Sequence, residues 1–194
     1  LIEWGKPFEK RQNVLPEPTL SEVLIRVTAA GLCHSDLHVQ KGYMDLGEEG
    51  RLTFADRGAQ LPMTFGHEIA GIVEAVGDKV KNVSIGQQVL VFPWIGCGDC
   101  LACNEDRESD CSAMRIIGLK QKGGFATHCL IENEKFLVNI DGLDAAEVVP
   151  HACSGITVYN ALEKIGFLRD GEWLAVMGCG ELGLNAIAIA GVMG

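Results

Sequence analysis

The distribution of apolar and polar positions predicts that the first three quarters of the chain are rich in β-strands. Four segments have the period or the apolar run of a strand, at residues 22–27, 65–76, 86–92 and 123–131. A short helical turn is expected at residues 32–40. Residues 41–62 are expected to form a long polar loop, of a length that is usually functional or mobile in a compact domain. We therefore expect residues 1–150 to form an irregular, mainly β domain.

The pattern changes after about residue 150. Residues 155–164 fit an amphipathic helix, residues 172–177 a short apolar strand, and residues 184–194 an alanine-rich helix of the kind that packs on a sheet. A glycine-rich turn separates this strand from the helix after it. Strand, turn and helix in this order predict that an α/β unit begins within residues 151–194.

Charge and composition narrow the range of partners. The 194 residues include 16 Lys and Arg against 26 Asp and Glu, a formal net charge of −10, which argues against non-specific binding to nucleic acid or to an anionic membrane. The segment Trp173–Gly194 is long enough for a membrane span, but five glycines interrupt it, and a buried strand, turn and helix explain it better. No secretory signal opens the chain, so we expect a cytoplasmic protein with reduced thiols.

Four cysteines form the strongest chemical motif of the chain. The spacing Cys97-x2-Cys100-x2-Cys103-x7-Cys111 lets four thiolates surround one tetrahedral zinc ion, and neighbouring glycines permit the tight turns. Four protein ligands leave no position for a substrate, so this would be a structural zinc site. Two disulfides or an iron–sulfur cluster are the alternatives.

A second set of candidate metal ligands is scattered along the chain. Cys33 follows a strand, His67 lies at the start of another strand, and Cys153 precedes a helix at the domain boundary. Each residue alone is more often part of a protein core. Together, two thiolates and one imidazole leave a fourth coordination position open for water or substrate, as a catalytic zinc site requires.

A glycine motif lies inside the α/β unit. Gly178-x-Gly180-x-x-Gly183 stands between the apolar strand and the helix, which is the context that a dinucleotide-binding loop requires. The N-terminus of the helix would offer backbone N–H groups to a pyrophosphate. The alternative is a simple tight turn in a parallel sheet. The acid that distinguishes NAD from NADP would fall about 20 residues further on, outside this sequence.

Five motifs, in order along the chain, resemble those of the zinc-dependent medium-chain alcohol dehydrogenases. They are Gly31-Leu32-Cys33-His34-Ser35-Asp36-Leu37-His38, Gly66-His67-Glu68-Ile69-Ala70-Gly71, the four-cysteine segment, Cys153-Ser154-Gly155-Ile156-Thr157-Val158-Tyr159 and the glycine loop. The resemblance implies a GroES-like, mainly β catalytic domain with two zinc sites in residues 1–150. It also implies that residues 151–194 begin an α/β Rossmann NAD(P)-binding domain. Members of the family are about twice as long, so the chain resembles their N-terminal portion.

The resemblance also implies roles for individual residues. The catalytic zinc would be held by Cys33, His67 and Cys153, and the structural zinc by Cys97, Cys100, Cys103 and Cys111. The remaining assignments are Ser35 and His38 for a proton relay from the alcohol, Asp36 for orienting His67, Glu68 for a carboxylate behind the metal, Thr157 for the nicotinamide, Gly178, Gly180, Leu182 and Gly183 for the pyrophosphate, and Trp94 for the substrate pocket. The alternatives are a helix cap for Ser35 and solvated surface groups for Asp36 and His38.

The function that the resemblance implies is reversible hydride transfer between an alcohol and NAD(P), with two zinc ions per chain and NAD favoured. Small alcohols, aldehydes or ketones would be the substrates, and a homodimer or homotetramer the full-length assembly. A polyol dehydrogenase is a close alternative, although Cys153 stands where such enzymes typically carry an acid. The candidate zinc ligands speak against a zinc-free quinone or enoyl reductase. A non-catalytic zinc-binding fragment is the alternative from another class, because the sequence contains only part of a coenzyme domain.

Overall fold

The computed structural model describes residues 1–166 and 171–193. Its centre is a five-stranded antiparallel sheet in the order β8-β1-β4-β5-β9. The strands are β1 Val23–Gly31, β2 Tyr43–Asp45, β3 Arg51–Thr53, β4 Glu68–Val76, β5 Gln88–Val91, β6 Trp94–Ile95, β7 Arg115–Ile116, β8 His128–Ile131 and β9 Leu137–Asn139. The helices are α1 His34–Lys41, α2 Leu101–Asn104, α3 Ala145–Val148, α4 Ser154–Ile165 and α5 Glu181–Met193, with 3-10 turns at Gly47–Glu49, Glu108–Asp110, Glu134–Phe136 and Val149–Ala152.

The sheet buries the apolar positions of its two longest strands, β1 and β4. Ile25 and Ile69 are fully buried and contribute to the main core, whereas Arg26 is exposed on the same strand as Ile25. Strand β4 departs from simple alternation because Ala70 is also fully buried and packs in a second cluster with Ile140 and Val149. The sheet therefore has both faces covered at the start of β4, and removal of apolar area from water stabilises this region.

Antiparallel pairing of β1 with β4 sets the position of the functional residues. Gly31, the last residue of β1, is opposite Glu68, the first residue of β4. A Cβ atom on Gly31 would lie 1.9 Å from a carboxylate oxygen of Glu68, so only glycine leaves room for that side chain. The end of β1 and the start of β4 are neighbours in the sheet, so residues 33 and 67 lie at the same end of these two strands.

Two parts of the sequence-based interpretation need correction. The polar loop at residues 41–62 contains a small hairpin, because β2 pairs with β3. The strand expected at residues 172–177 is wrong: no strand is assigned there, and Trp173 is 93% exposed. A strand requires a second strand beside it, and the sheets formed within residues 1–166 and 171–193 include no strand at this segment. The helices expected at 155–164 and from residue 184 are present as α4 and α5. No helix in these ranges is long and apolar enough to cross a membrane.

Candidate active site

Three elements bring four potential metal ligands together. Cys33 caps the N-terminus of α1, His67 and Glu68 lie at the start of β4, and Cys153 caps the N-terminus of α4. Their ligand atoms all lie within 4.8 Å of one another. The Sγ atoms of Cys33 and Cys153 are 3.8 Å apart although 120 positions separate them in the chain. The fold therefore converts residues that are remote in sequence into one compact set of thiol, imidazole and carboxylate groups.

Asp36 fixes the orientation of both neighbouring groups. Its Oδ1 atom is 3.3 Å from Nδ1 of His67, and its Oδ2 atom accepts a hydrogen bond of 3.0 Å from the backbone N–H of Cys33. Asp36 is only 2% exposed, so these contacts satisfy a carboxylate that burial would otherwise penalise. The second ring nitrogen of His67 is left to face the cluster, which is the arrangement typical of metal-binding histidines.

The cluster is electrostatically prepared for a cation. Hydrogen bonds from the Cys153 thiol and from His67 lower the pKa of Cys33 to about 3, so Cys33 is a thiolate. The same Cys153–Cys33 hydrogen bond raises the pKa of Cys153 well above its ordinary value. Burial alone would lower the pKa of His67, but its hydrogen bonds with Asp36 and Cys33 raise it to about 10. A metal ion would displace these protons, because thiolates and neutral imidazole are the ligand forms.

Glu68 provides the direct test of whether the cluster fits a metal. Its side chain is 1% exposed, and Oε1 is buried without a hydrogen-bond partner among the described residues. Burial, followed by repulsion from the Cys33 thiolate, raises the pKa of Glu68 to about 7. An orphaned buried oxygen beside two thiols and an imidazole is expected where a cation completes the site. The donor set of two sulfurs and one nitrogen fits Zn²⁺.

The proposed relay residues lie on α1 next to Cys33. Ser35 is half-buried two residues after Cys33, and it contributes, after Cys153 and His67, to lowering the pKa of Cys33. The ring of His38 is half-buried, with its centroid 4.7 Å from that of the exposed His34. Ser35 therefore sits at the cluster, and His38 lies one helical turn further along the same helix.

The second cysteine cluster is built within one short segment. Cys97, Cys100, Cys103 and Cys111 place their Sγ atoms within 4.8 Å of one another, with 3.5 Å between Cys100 and Cys103. All four are free thiols, with no disulfide among them. Backbone N–H groups of Asp99 and Cys100 lower the pKa of Cys97 to about 6, which favours the thiolate. Gly96 is required beside them, because a Cβ there would lie 2.5 Å from Sγ of Cys103. Four converging sulfurs fit a closed tetrahedral zinc site.

The glycine loop adopts a tight turn before α5. Gly178 has a φ of +97°, and a Cβ on Gly183 would lie 1.9 Å from the carbonyl oxygen of Gly178. The turn therefore needs glycine at both positions. Gly180 has open space around it, and Leu182 is 53% exposed. Thr157 lies in α4 one turn after Cys153 and donates its backbone N–H to the Cys153 carbonyl.

Trp94 lies in strand β6, just before the four-cysteine segment in the sequence. It is half-buried, and its ring centroid lies 5.5 Å from that of Phe92. Its indole is thus held by an aromatic neighbour.

A polar network between α4 and α5 was missed by the sequence interpretation. Ser154 is 2% exposed and donates a hydrogen bond of 2.8 Å to Oε1 of Glu181, while Asn185 donates one of 2.9 Å to the Ser154 hydroxyl. The signal was present, since Glu181 and Asn185 are the only acid and the only amide in the apolar stretch of residues 173–194. Polar residues at such positions require partners when they approach a core.

Comparison with known proteins decides the family. Residues 19–142, more than half of the chain, match the alcohol dehydrogenase GroES-like domain. The chain belongs to this family. The resemblance seen in the motifs is thereby confirmed, and the mainly β region is a GroES-like domain.

Similar proteins extend over almost the whole chain. An NAD-dependent alcohol dehydrogenase of Sulfurisphaera tokodaii is 41% identical over 98% of this chain and 54% of its own length. The crystal structure of the alcohol dehydrogenase of Aeropyrum pernix is similar with a TM-score of 0.85 at 29% identity, covering all of this chain and 55% of that one. The D-arabinose dehydrogenase of Sulfolobus solfataricus is similar with a TM-score of 0.68 at 33% identity, over 78% of this chain and 44% of that one. The chain thus spans about half the length of the curated relatives it matches, and the GroES-like fold serves more than one substrate class.

Proposed function

We propose that this chain is the metal-binding part of an NAD-dependent zinc alcohol dehydrogenase, which transfers hydride reversibly between an alcohol and the coenzyme. The observation that carries the proposal is the convergence of Cys33, His67 and Cys153 around the orphaned carboxylate oxygen of Glu68. The names of the relatives at 39–41% identity support the reaction and NAD as the coenzyme. Small alcohols, aldehydes or ketones are the proposed substrates, and a homodimer or homotetramer is the proposed full-length assembly in the cytoplasm.

We place the domain boundary near residue 150. Residues 1–150 would form the catalytic domain, and residues 151–194 would begin the Rossmann domain. Helix α4 starts at Ser154 and α5 follows the glycine loop directly, which supports this division. The backbone N–H groups around Gly178, Gly180, Leu182 and Gly183 would then bind the coenzyme pyrophosphate at the N-terminus of α5.

Each residue of the candidate active site has a separate task in this proposal. Zn²⁺ held by Cys33, His67 and Cys153 would supply a Lewis acid for the substrate oxygen, without redox chemistry of its own. Asp36 holds the His67 ring in place through its 3.3 Å contact. Glu68 provides the buried negative charge behind the site.

Proton release and substrate orientation fall to three further residues. The Ser35 hydroxyl would accept the substrate proton while it gives its own hydrogen to the relay, and His38 would pass a proton to solvent. Thr157 on α4 is proposed to contact the nicotinamide, and Trp94 is proposed to line the substrate pocket. The hydride itself is carried by the coenzyme.

The four-cysteine cluster would bind the second zinc ion as a structural site. Its four cysteines lie in one short segment that contains α2 and the 3-10 turn at Glu108–Asp110, and its four thiols leave no position for a substrate. Two zinc ions per chain are therefore proposed.

The test is metal content in matched variants. We expect two zinc ions per wild-type chain by native mass spectrometry, one in Cys153→Ala and one in Cys103→Ala. After metal removal, the wild type should show eight titratable thiols and each variant seven. The coenzyme reaction is tested in the same samples by alcohol-dependent formation of NADH. A wild-type chain that binds a single zinc ion, lost in Cys103→Ala, would refute the catalytic metal site.

A non-catalytic zinc-binding fragment remains the second candidate. The observation that favours it is that the described part of the α/β unit, within residues 151–166 and 171–193, consists of α4, the glycine loop and α5 and contains no strand. Two bound zinc ions together with no NADH formation from any of a panel of primary and secondary alcohols would support this candidate over the enzyme.

A further inference from the structure

A buried hydroxyl connects the two helices that follow the GroES-like domain. Ser154, at the first position of α4, is 2% exposed and lies within hydrogen-bond distance of three groups. These are the Pro150 carbonyl at 3.0 Å, Oε1 of Glu181 at 2.8 Å and Nδ2 of Asn185 at 2.9 Å. Glu181 and Asn185 stand one turn apart on α5, so a single hydroxyl is the meeting point of both helices.

Counting hydrogens shows which contact dominates. A serine hydroxyl donates one hydrogen and accepts up to two. Asn185 is a donor to Ser154, so the one hydroxyl hydrogen is shared between the Pro150 carbonyl and the Glu181 carboxylate. The charged acceptor at the shorter distance holds it, because hydrogen bonds to carboxylates are shorter and stronger than those to neutral carbonyls. The second hydrogen of the Asn185 amide is donated to the Glu181 backbone carbonyl at 3.1 Å. This hydrogen bond keeps the Asn185 amide and Glu181 at fixed positions on α5 relative to the Ser154 hydroxyl.

One of the proposed metal ligands lies in the turn that this network holds. Cys153 lies between Pro150 and Ser154, and its backbone N–H donates to the Pro150 carbonyl at 3.1 Å. Its backbone is not helical, with φ −121° and ψ −75°. The position of the Cys153 sulfur therefore depends on how the turn from Pro150 to Ser154 is held, and the hydrogen bond to Glu181 is what anchors the far end of that turn to α5.

We propose that Glu181, acting through the Ser154 hydroxyl, is a positioning residue for the metal ligand Cys153. The helix that carries the glycine loop thereby holds the cysteine at the geometry that the Cys33–His67–Cys153 cluster needs. The inference rests on the proposed function, because it presumes that this cluster binds a metal. Loss of the Glu181–Ser154 hydrogen bond leaves the fold and the four-cysteine cluster intact, and weakens metal binding at the Cys153 site alone.

The experiment uses the second metal cluster of the same chain as its internal reference. Zinc affinity at each site is measured on the 194-residue chain by chelator competition with native mass spectrometry, and Co²⁺ is substituted to record the absorption bands of the two sites. Glu181→Ala and Ser154→Ala each remove the hydrogen bond. Glu181→Gln keeps an oxygen acceptor and removes the charge. Glu163→Ala is the matched control, since Glu163 lies on α4, carries the same charge and bonds to Tyr159 rather than to Ser154.

We expect about a tenfold loss of affinity at the Cys153 site in Glu181→Ala and in Ser154→Ala, as is typical when a residue that orients a metal ligand is removed. The Co²⁺ bands of that site should shift while those of the four-cysteine site stay unchanged. Glu181→Gln keeps an acceptor but loses the charge that strengthens the hydrogen bond, so it should recover part of the affinity, and Glu163→Ala should bind like the wild type. The double variant Glu181→Ala/Ser154→Ala should be no weaker than either single variant, because both remove one interaction.

The outcomes separate this inference from the proposed function. A wild-type chain with only one zinc ion would refute the metal site itself. A wild-type chain with two zinc ions, and a Glu181→Ala variant that retains both with unchanged affinity and Co²⁺ bands, would overturn only the positioning role. Equal weakening of both sites in Glu181→Ala would also overturn it, because that result identifies a general loss of stability. A Glu181→Gln variant as weak as Glu181→Ala would assign the effect to charge instead of hydrogen bonding, and would likewise contradict the proposal.

Discussion

The two candidate metal-binding clusters of this chain are assembled in opposite ways. The four-cysteine cluster closes over 14 positions, from Cys97 to Cys111, whereas 120 positions separate Cys33 from Cys153 in the other cluster. Bringing the ends of a short segment together costs less chain entropy than closing a long loop. The first cluster therefore depends on its own spacing, and the second depends on the sheet that pairs β1 with β4 and on the position of α4.

The comparison teaches which changes should act locally and which should spread. A fault in the four-cysteine segment should disturb that segment alone. A substitution in β1, at the start of β4 or in the turn before α4 should disturb the second cluster, because its three ligands come from parts of the chain that are far apart in sequence. The following predictions test this difference, from the largest expected effect to the smallest.

The largest effect is expected from Cys103→Ser. A serine hydroxyl is a poor zinc ligand, and structural zinc sites contribute on the order of 10 kcal/mol of apparent binding free energy. The variant should lose the structural metal, and amide hydrogen exchange should become fast over residues 97–111. Ile95 and Ile117 lie in the main core at either end of this segment, so protection of the sheet should persist. Simultaneous loss of the metal at the Cys153 site would contradict the proposed independence of the two clusters.

The next effect is expected from Gly31→Ala. The added Cβ would meet Glu68 Oε2 at 1.9 Å in a buried region, and overpacking of this kind costs about 1–3 kcal/mol. Thermal unfolding should shift accordingly, and the Cys153 site should lose metal before the four-cysteine site does.

The control for Gly31→Ala is Gly191→Ala in α5. A Cβ at Gly191 meets no atom within 4 Å, and alanine is favoured over glycine in a helix by about 1 kcal/mol. This variant should be neutral or slightly more stable. Equal destabilisation by both substitutions would contradict the steric explanation.

A smaller effect is expected from Asp36→Asn. The amide keeps the shape of the side chain but removes the charge beside His67, and loss of such a partner typically costs about 10–100-fold in metal affinity. Chelator competition should therefore show weaker binding at the Cys153 site only. Asp78→Asn removes a charge from an exposed turn and should leave both sites unchanged. An Asp36→Asn variant with wild-type affinity would show that Asp36 does not orient His67.

The smallest effect is expected from Glu134→Gln, far from both clusters. The Glu134 carboxylate accepts hydrogen bonds from the backbone N–H groups of Lys81 and Asn82. Burial favours the neutral acid, but these N–H groups hold the pKa of Glu134 below its ordinary value. The wild-type stabilisation should be complete above that ordinary pKa and should be lost as the pH falls through the lowered one.

Because Glu134 lies near the surface, its contribution should stay below about 1 kcal/mol. Thermal unfolding of wild type and Glu134→Gln should differ at neutral pH and converge in acid, and both proteins should contain the same amount of metal at neutral pH. A difference that persists in acid would exclude the carboxylate as its source.

Sequence reasoning succeeded where the determinant was local. Alternation predicted β1, β4 and β5, and cysteine spacing alone indicated the four-cysteine cluster, because ligands that are close in sequence need only short turns to meet in space. The three-ligand set was only suggestive from the residues, and the family resemblance identified its members. Which side chains meet at residues 33, 67 and 153 depends on sheet register, which no short window contains.

The failures of the sequence interpretation have the same origin. Residues 172–177 have the composition of a strand, but a strand also requires a second strand beside it, and the sheets of the described residues include none at this segment. The hairpin of β2 and β3 was missed because both strands are short and mostly polar. The Ser154–Glu181 contact joins two separate helices, α4 and α5, so no periodicity within either helix reveals it.

The exposed indole of Trp173 provides an optical signal. Trp4 and Trp94 are half-buried, whereas Trp173 is 93% exposed. Its fluorescence should be red-shifted and readily quenched by iodide. Any polypeptide or ligand that packs against this ring would shield it and shift its emission to shorter wavelengths. Burial of Trp173 could thus be followed in real time by light, without a label and independently of either candidate metal site.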